Sequence, residues 1–197
     1  MKKRNFSLIL ILGISLILIS FSLLIATQIR IYIGFSKTET TITEINNILP
    51  EKHPGIPESS SFHNMPVLEI DGVDYAAVIK IPAFNTTLPV ADKWNSNKLF
   101  NSPARFYGST YDNNLVIGGA DYSHQFSFCD KIDIDNDIII TDMTGAQFTY
   151  TVKCVERSKN AENNWLCNKD YDLTVFCRDT YSMKYIAVRC IFTPNKQ

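Results

Sequence analysis

The sequence predicts a mainly β domain, a small barrel or sandwich, that follows an N-terminal transmembrane helix. From residue 66 onward, short apolar runs rich in β-branched and aromatic residues recur, and turns separate them. Few segments in this part of the chain have a helical composition. The N-terminus instead carries a long apolar stretch without charge, which is typical of a membrane span.

The apolar stretch covers residues 6–26, and its length fits a helix that crosses the hydrocarbon core. A cleaved signal peptide is the rival interpretation, but its apolar region is usually shorter and ends at a small-x-small site, which residues 24–26 match poorly. Because a basic cluster lies in residues 1–5, the positive-inside rule predicts a cytoplasmic tail there. We therefore expect a single-pass protein of the cell membrane with its domain outside the cell.

Residues 27–65 are predicted to form an extracytoplasmic stalk, and residues 66–197 the folded domain. The stalk is first polar and Thr-rich, and its second part holds three prolines and three consecutive serines, which disfavour regular structure. In the domain we expect strands at 75–81, 115–117, 137–141, 148–155, 173–177 and 185–192, and helices at 91–100 and 158–166.

Charge and cysteine content exclude several classes of protein. The net charge is −1, so the chain lacks the basic field of a nucleic-acid binder, and we expect no nucleic-acid partner. Five cysteines follow the membrane segment without any C-x-x-C spacing, which gives no support for a zinc site. A location outside the cell permits a disulfide, but the sequence assigns none. We expect no cofactor and no metal, since the acidic run at 133–137 is typical of a turn before a strand.

A series of segments in the domain has a familiar order: 81–85 with 88–90, 102–109, 114–119, 130–145, 172–176 and 185–190. This ordered set resembles the sortases, which are bacterial surface cysteine transpeptidases. The resemblance implies a closed β-barrel of about eight strands with one or two short helices, behind a membrane anchor. It also implies a reaction on sorting signals such as Leu-Pro-x-Thr-Gly.

The family's reaction needs a cysteine nucleophile, a histidine acid/base and an arginine that stabilises the oxyanion. By resemblance, the histidine would follow Gly119, where this chain has Ala120. The cysteine position is occupied by Arg178 and the arginine position by Tyr185, with Lys184 one step away. We therefore predict a catalytically inactive sortase-like protein that binds a surface protein or a sorting-signal peptide.

Arg178 is the predicted ligand-binding residue. A guanidinium stays protonated and cannot act as a nucleophile, but a buried one at the end of a groove would suit a carboxylate. An ion pair with Asp121 would instead make Arg178 structural, and the sequence leaves both interpretations open.

A divergent but active transpeptidase is the alternative, with Cys177 as nucleophile, His124 as acid/base and Lys184 as a substitute cation. Arg178 could lower the pKa of the neighbouring thiol. Because side chains alternate along a strand, however, Cys177 should face away from the groove unless a β-bulge shifts it. A purely structural surface domain without a ligand is a third hypothesis.

Overall fold

A computed structural model of the chain describes residues 2–56, 64–96, 99 and 101–194. It divides into two compact units, one up to Ser36 and one from Lys37 onward. The described α-helices are α1 (Lys2–Ile48) and α2 (Asn163–Leu166), and the described strands are β1 (His53–Pro54), β2 (Leu68–Ile70), β3 (Val73–Ile81), β4 (Thr86–Ala91), β5 (Ala104–Tyr107), β6 (Leu115–Ala120), β7 (Asp137–Asp142), β8 (Ala146–Ser158), β9 (Leu173–Arg178) and β10 (Tyr185–Phe192).

The first unit is the N-terminal part of α1, and its residues 10–26 carry no charge. Large apolar side chains from Leu10 to Ile25 are about half exposed or more, which fits contact with lipid rather than a protein core. Among the described residues, α1 is a helix long and apolar enough to cross a membrane, by length and composition. A signal sequence would meet the same criterion. The predicted N-terminal apolar helix is therefore confirmed.

The second unit contains a closed mixed barrel of eight strands. Around the barrel the order is β3, β4, β5, β6, β9, β10, β8 and β7, and β7 pairs with β3 to close it. The β4–β5 and β6–β9 pairs are parallel, and the other barrel pairs are antiparallel. The short strands β1 and β2 extend the sheet beyond the barrel. The predicted barrel of about eight strands is confirmed.

Alternate side chains of the strands fill the barrel interior. Each fully buried Ile or Phe contributes roughly 1.5–3 kcal/mol of transfer free energy. The chain also approaches this core closely at Gly55, where an added Cβ would lie 2.6 Å from the ring of Phe148. The fully buried interior side chains include Ile79, Ile81, Ile117, Ile138, Ile140, Phe148, Tyr150, Val152, Val175 and Val188.

The second unit begins at Lys37, earlier than the predicted domain start at residue 66. In the last turns of α1, Thr38 donates a hydrogen bond to a loop carbonyl at 3.2 Å. Ile45 is fully buried, and it packs with Tyr75 of β3. This segment is polar overall, but its apolar residues recur at helical spacing up to Leu49 and pack in one cluster with residues of β3. Part of the predicted stalk is therefore packed within the second unit.

The predicted helix at 91–100 is wrong over its described residues, because Ala91 ends β4 and residues 92–96 form no α-helix. The amide of Asp92 donates to the carbonyl of Asp74, a long-range contact that holds the chain near β3. Residues 97, 98 and 100 lie outside the description. Of the predicted helix at 158–166, only the single turn α2 forms, since β8 continues to Ser158 in order to pair with β10.

Candidate functional site

The three positions that the resemblance assigns to the catalytic residues lie side by side across three neighbouring strands. In the β6–β9 pair Ala120 is opposite Arg178, and in the β9–β10 pair Tyr185 is opposite Arg178. Residues directly opposite each other across strands present their side chains to the same face of the sheet. The positions predicted from the resemblance are thus brought together, and we call this set (Ala120, Arg178 and Tyr185) the outer row.

The outer row faces away from the barrel interior. Cys177 is only 1% exposed and belongs to the core, whereas Arg178 is exposed. The thiol of Cys177 donates to the carbonyl oxygen of Phe126 at 3.6 Å. The β6–β9 register runs without a shift along all six paired residues, so these strands contain no bulge that would turn the thiol outward. Cys177 therefore faces the core, the direction expected from strand alternation.

Arg178 is exposed, so the expectation of a buried cation is wrong. It is the last residue of β9, where the chain opens into the turn at 179–184. Its Nε–H donates to the carbonyl of Met183 at 3.4 Å, and its guanidinium carbon lies 5.7 Å from the centre of the Tyr185 ring. Within the part of the chain that the structure describes, its two terminal NH2 groups have no hydrogen-bond partner.

Asp121, the other suggested partner of Arg178, binds elsewhere. Its carboxylate accepts hydrogen bonds from the amide of Thr180 at 2.9 Å and from the Thr180 hydroxyl at 2.5 Å. These bonds join the loop after β6 to the turn after β9, at the edge of the outer row. Asp121 therefore organises the loops around Arg178.

The turn at 179–184 presents exposed side chains beside the outer row. Hydrogen bonds from the Ser182 hydroxyl and from the backbone N–H of Tyr181 lower the pKa of Asp179. Tyr181 is 97% exposed. Lys184 is also exposed, and its carbonyl accepts the amide of Asp179. Lys184 therefore lies next to the row but belongs to the turn.

His124 lies in the loop that follows β6. Its ring stacks on that of Tyr122, with centroids 5.6 Å apart and planes 14° apart. Gln125 anchors the loop, because its side chain accepts the Ala120 amide at 3.2 Å and donates to the Leu99 carbonyl at 2.9 Å. The structure thus places His124 against an aromatic neighbour at the edge of the row, while Cys177 lies in the core.

An aromatic cluster covers the barrel face next to the outer row. The rings of Trp94, Phe106 and Phe176 lie 5.2–5.6 Å apart. Trp94 packs directly on Gly118 of β6, where an added Cβ would be 2.2 Å from the indole. The sequence interpretation ended this strand at residue 117. The sequence feature that could have indicated the cluster is Gly118, because a glycine within a strand often marks a place where another group packs closely on the backbone.

A second arginine, missed from the sequence, lies four residues further along the same face of β9 and β10. Arg189 is opposite Thr174 and is fully buried. Its guanidinium donates to Glu156 at 2.8 and 3.1 Å, to Thr174 Oγ1 at 3.0 Å, and to the carbonyls of Leu166 at 3.1 Å and Trp165 at 2.5 Å. The available signal was a single cation in the otherwise apolar run of β10.

The acidic run at 133–137 forms a turn that leads into β7, and two of its carboxylates contact residues of the neighbouring strand β8. Asp135 pairs with Lys153 at 3.6 Å, and Asp137 accepts the hydroxyl of Thr151 at 3.0 Å. Among the described residues, no group of three or more His, Cys, Asp or Glu side chains could hold a metal ion.

Known proteins resemble this chain in structure but not detectably in sequence: no family model and no curated protein matches it. Sortase C1 from Streptococcus agalactiae superposes with a TM-score of 0.56 at 22% identity, over 65% of this chain and 72% of that one. Sortase A from Corynebacterium diphtheriae gives 0.55 at 16%, over 84% and 86%. A Clostridium perfringens sortase D5 transpeptidase gives 0.53 at 20%, over 61% and 79%. At such identities the likeness shows the fold alone, and this chain has the sortase fold.

Proposed function

We propose that this chain is a membrane-anchored, catalytically inactive protein of sortase fold that binds a peptide segment of a surface protein through the outer row. The observation that carries the proposal is the register of three strands, which aligns Ala120, Arg178 and Tyr185 on one face. That face presents a guanidinium at the family's nucleophile position, while the adjacent thiol lies in the core.

The outer row lacks the groups that acyl transfer requires. A methyl group at Ala120 cannot transfer a proton, and loss of a positioned acid/base alone typically lowers the rate about 10²–10⁴-fold. An arginine at the nucleophile position removes the covalent route. Recruiting Cys177 would need a one-residue slip of β9, which would also move Val175 and Leu173 from the core to the outer face.

The same row has the properties of a carboxylate site. Arg178 has two terminal NH2 groups without a partner among the described residues, and a guanidinium binds carboxylates in a bidentate way. The Tyr185 ring supports the cation from one side. Tyr181 adds an exposed ring nearby, and Tyr and Arg are enriched in protein interfaces. We infer a ligand with a free carboxylate, for which a sorting-signal peptide of a surface protein is the candidate.

The membrane placement follows from the N-terminal segment. The apolar helix anchors the chain, and the basic residues before it are expected to keep the N-terminus in the cytoplasm and the barrel outside the cell. A barrel in that position meets surface proteins as they leave the membrane. Protease treatment of intact cells should therefore degrade the barrel, and full protection would contradict this orientation.

The binding proposal is tested with the full chain in detergent and a fluorescent peptide, Leu-Pro-Ala-Thr-Gly, that has a free C-terminal carboxylate. We expect binding without cleavage or thioester formation. Arg178→Met should weaken binding about 10-fold or more, since a hydrogen-bonded charge contributes roughly 1.5–3 kcal/mol. Lys80→Met is the matched control, because Lys80 is an exposed cation on β3, across the barrel from β9.

Two results would contradict the proposal. Steady turnover of the peptide that disappears in Cys177→Ala would show that the chain is an active transpeptidase. Equal binding by the wild type, Arg178→Met and Lys80→Met would show that the outer row is not the binding site. The same peptide with an amidated C-terminus should bind like Arg178→Met does, because it lacks the terminal charge.

A further inference from the structure

The connection between β8 and β9 forms a cavity of about 390 Å³ that shares no residue with the outer row. Its volume falls within the range of small-molecule sites, which is about 300–1,000 Å³. The cavity begins beside the outer row, because Ser158 at the end of β8 is opposite Tyr185. Five polar side chains and one indole line it: Ser158, Asn160, Glu162, Asn164, Asn168 and Trp165.

The wall that carries the indole is held in place by Arg189. The guanidinium donates hydrogen bonds to the carbonyls of Trp165 at 2.5 Å and Leu166 at 3.1 Å. Its central carbon also lies 4.9 Å from the centre of the Trp165 ring. The indole is half-buried and still lines the cavity. A wall that is already ordered lowers the entropic cost of binding a ligand.

Local hydrogen bonds orient the asparagine side chains and leave their donor ends available. Asn164 Oδ1 accepts the backbone amide of Trp165 at 2.9 Å. Asn168 Oδ1 accepts the backbone amide of Asp170 at 3.0 Å. Because an asparagine side chain has separate acceptor and donor ends, both NH2 groups stay free for a ligand. Within the described ranges of the chain, neither these NH2 groups nor the Glu162 carboxylate has a hydrogen-bond partner.

The lining favours a ligand that is polar and uncharged. Most ligand pockets are lined mainly by hydrophobic side chains, and an apolar molecule here would leave polar groups unpaired. Among the described residues around the cavity there is no lysine or arginine, and the carboxylate of Glu162 repels a phosphate or a second carboxylate. A cation would face the asparagine NH2 groups, which are donors and not acceptors.

We propose that this cavity binds a neutral saccharide. A sugar hydroxyl both donates and accepts, so one ring can donate to the Glu162 carboxylate and accept from the NH2 groups of Asn164 and Asn168. The apolar C–H face of the ring packs on the Trp165 indole, which combines a large apolar surface with a polar edge. This site is separate from the proposed peptide site, which binds a carboxylate through Arg178, so either proposal can fail alone.

The test uses the full chain with Trp94→Phe, which leaves Trp165 as the one tryptophan that reports. The detergent is zwitterionic, because a detergent with a sugar headgroup would compete for the site. Two neutral trisaccharides, chitotriose and maltotriose, are titrated, and at least one should change the Trp165 emission in a saturable way. Calorimetry of the wild-type chain with the same two sugars measures the affinity without any substitution.

Three variants then locate the site. Asn160→Ala and Glu162→Ala should each weaken saccharide binding about two- to ten-fold, since each removes hydrogen bonds to the ligand. Asn163→Ala is the matched control, because Asn163 is an exposed neighbouring asparagine that does not line the cavity. Arg178→Met, which should weaken peptide binding, should bind the sugar like the wild type.

Four results would overturn the inference. The first is no saturable signal with either trisaccharide in both fluorescence and calorimetry. The second is an equal effect of Asn160→Ala and Asn163→Ala. The third is tighter binding of trialanine amide, a short peptide without a carboxylate, than of either sugar, with the same dependence on Asn160. The fourth is loss of sugar binding in Arg178→Met, which would place the sugar at the outer row.

Discussion

Arg178 and Arg189 lie on the same outer face of the β9–β10 pair, yet their environments differ completely. Arg178 is exposed and uses one of its five N–H donors, on the carbonyl of Met183. Arg189 is fully buried, and its five N–H groups make five hydrogen bonds, two of them to Glu156. Its guanidinium also lies 4.9 Å from the centre of the Trp165 ring.

The contrast shows how burial separates a structural cation from a binding one. A buried guanidinium costs several kcal/mol of desolvation, which only a complete set of partners offsets, so Arg189 has no capacity left for a ligand. An exposed guanidinium keeps its hydration and exchanges water for a ligand carboxylate at small cost. The aromatic cluster of Trp94, Phe106 and Phe176 lies between the two ends of the face and keeps them separate.

The largest effect expected is on stability, at the buried end. Arg189→Met removes the cation and leaves the Glu156 carboxylate, two carbonyls and the Thr174 hydroxyl without their donor. We expect a loss of about 3–5 kcal/mol in the free energy of unfolding. Urea unfolding of the full chain in detergent, followed by tryptophan fluorescence, measures it. Arg178→Met is the matched control, with an expected change within about 0.5 kcal/mol. Similar losses in both variants would remove the distinction between the two arginines.

The second effect concerns the cluster between them. Gly118→Ala places a Cβ 2.2 Å from the Trp94 indole and 2.6 Å from the Phe176 ring, so the rings must move. We expect a loss of roughly 1–3 kcal/mol and a red-shifted Trp94 emission, read in a Trp165→Phe background. Ala120→Ser adds one atom at the open end of the same strand and should change stability by no more than about 0.5 kcal/mol. An unshifted emission would mean that Trp94 does not pack on this strand.

The sequence predicted what depends on local pattern. A continuous apolar run predicted β10 at 185–192 with its observed bounds, and the alternation of side chains along a strand predicted that Cys177 points inward. Prediction from the sequence failed where contacts between distant segments determine the local structure. Asp92 is a residue type that often begins a helix, but a backbone hydrogen bond to β3 holds it in an irregular segment. Arg189 is one letter in an apolar run, and its partners come from β8, β9 and the α2 region.

A smaller effect is expected at the exposed end, where Tyr185 supports Arg178. Tyr185→Leu keeps the apolar bulk of the strand but removes the ring, which is worth about 0.5–1 kcal/mol to an exposed cation. Affinity for the fluorescent peptide should fall about two- to five-fold. Tyr185→Phe keeps the ring and should bind like the wild type. If Phe and Leu variants bind equally, the ring does not support Arg178.

The smallest effect is a pH dependence of the turn that supplies the Met183 carbonyl to Arg178. Hydrogen bonds from the Ser182 hydroxyl and the Tyr181 amide lower the pKa of Asp179 below its ordinary 3.8. A lowered folded pKa means that the charged carboxylate stabilises the turn above that ordinary value, and that this stabilisation is lost as the pH falls through the folded pKa. NMR titration of Asp179 should show the low pKa, and Ser182→Ala should raise it toward 3.8. Peptide affinity should therefore not vary with this group between about pH 5 and 8, where the carboxylate stays charged. An Asp179 pKa at its ordinary value in the wild type would show that the turn is not held by these bonds.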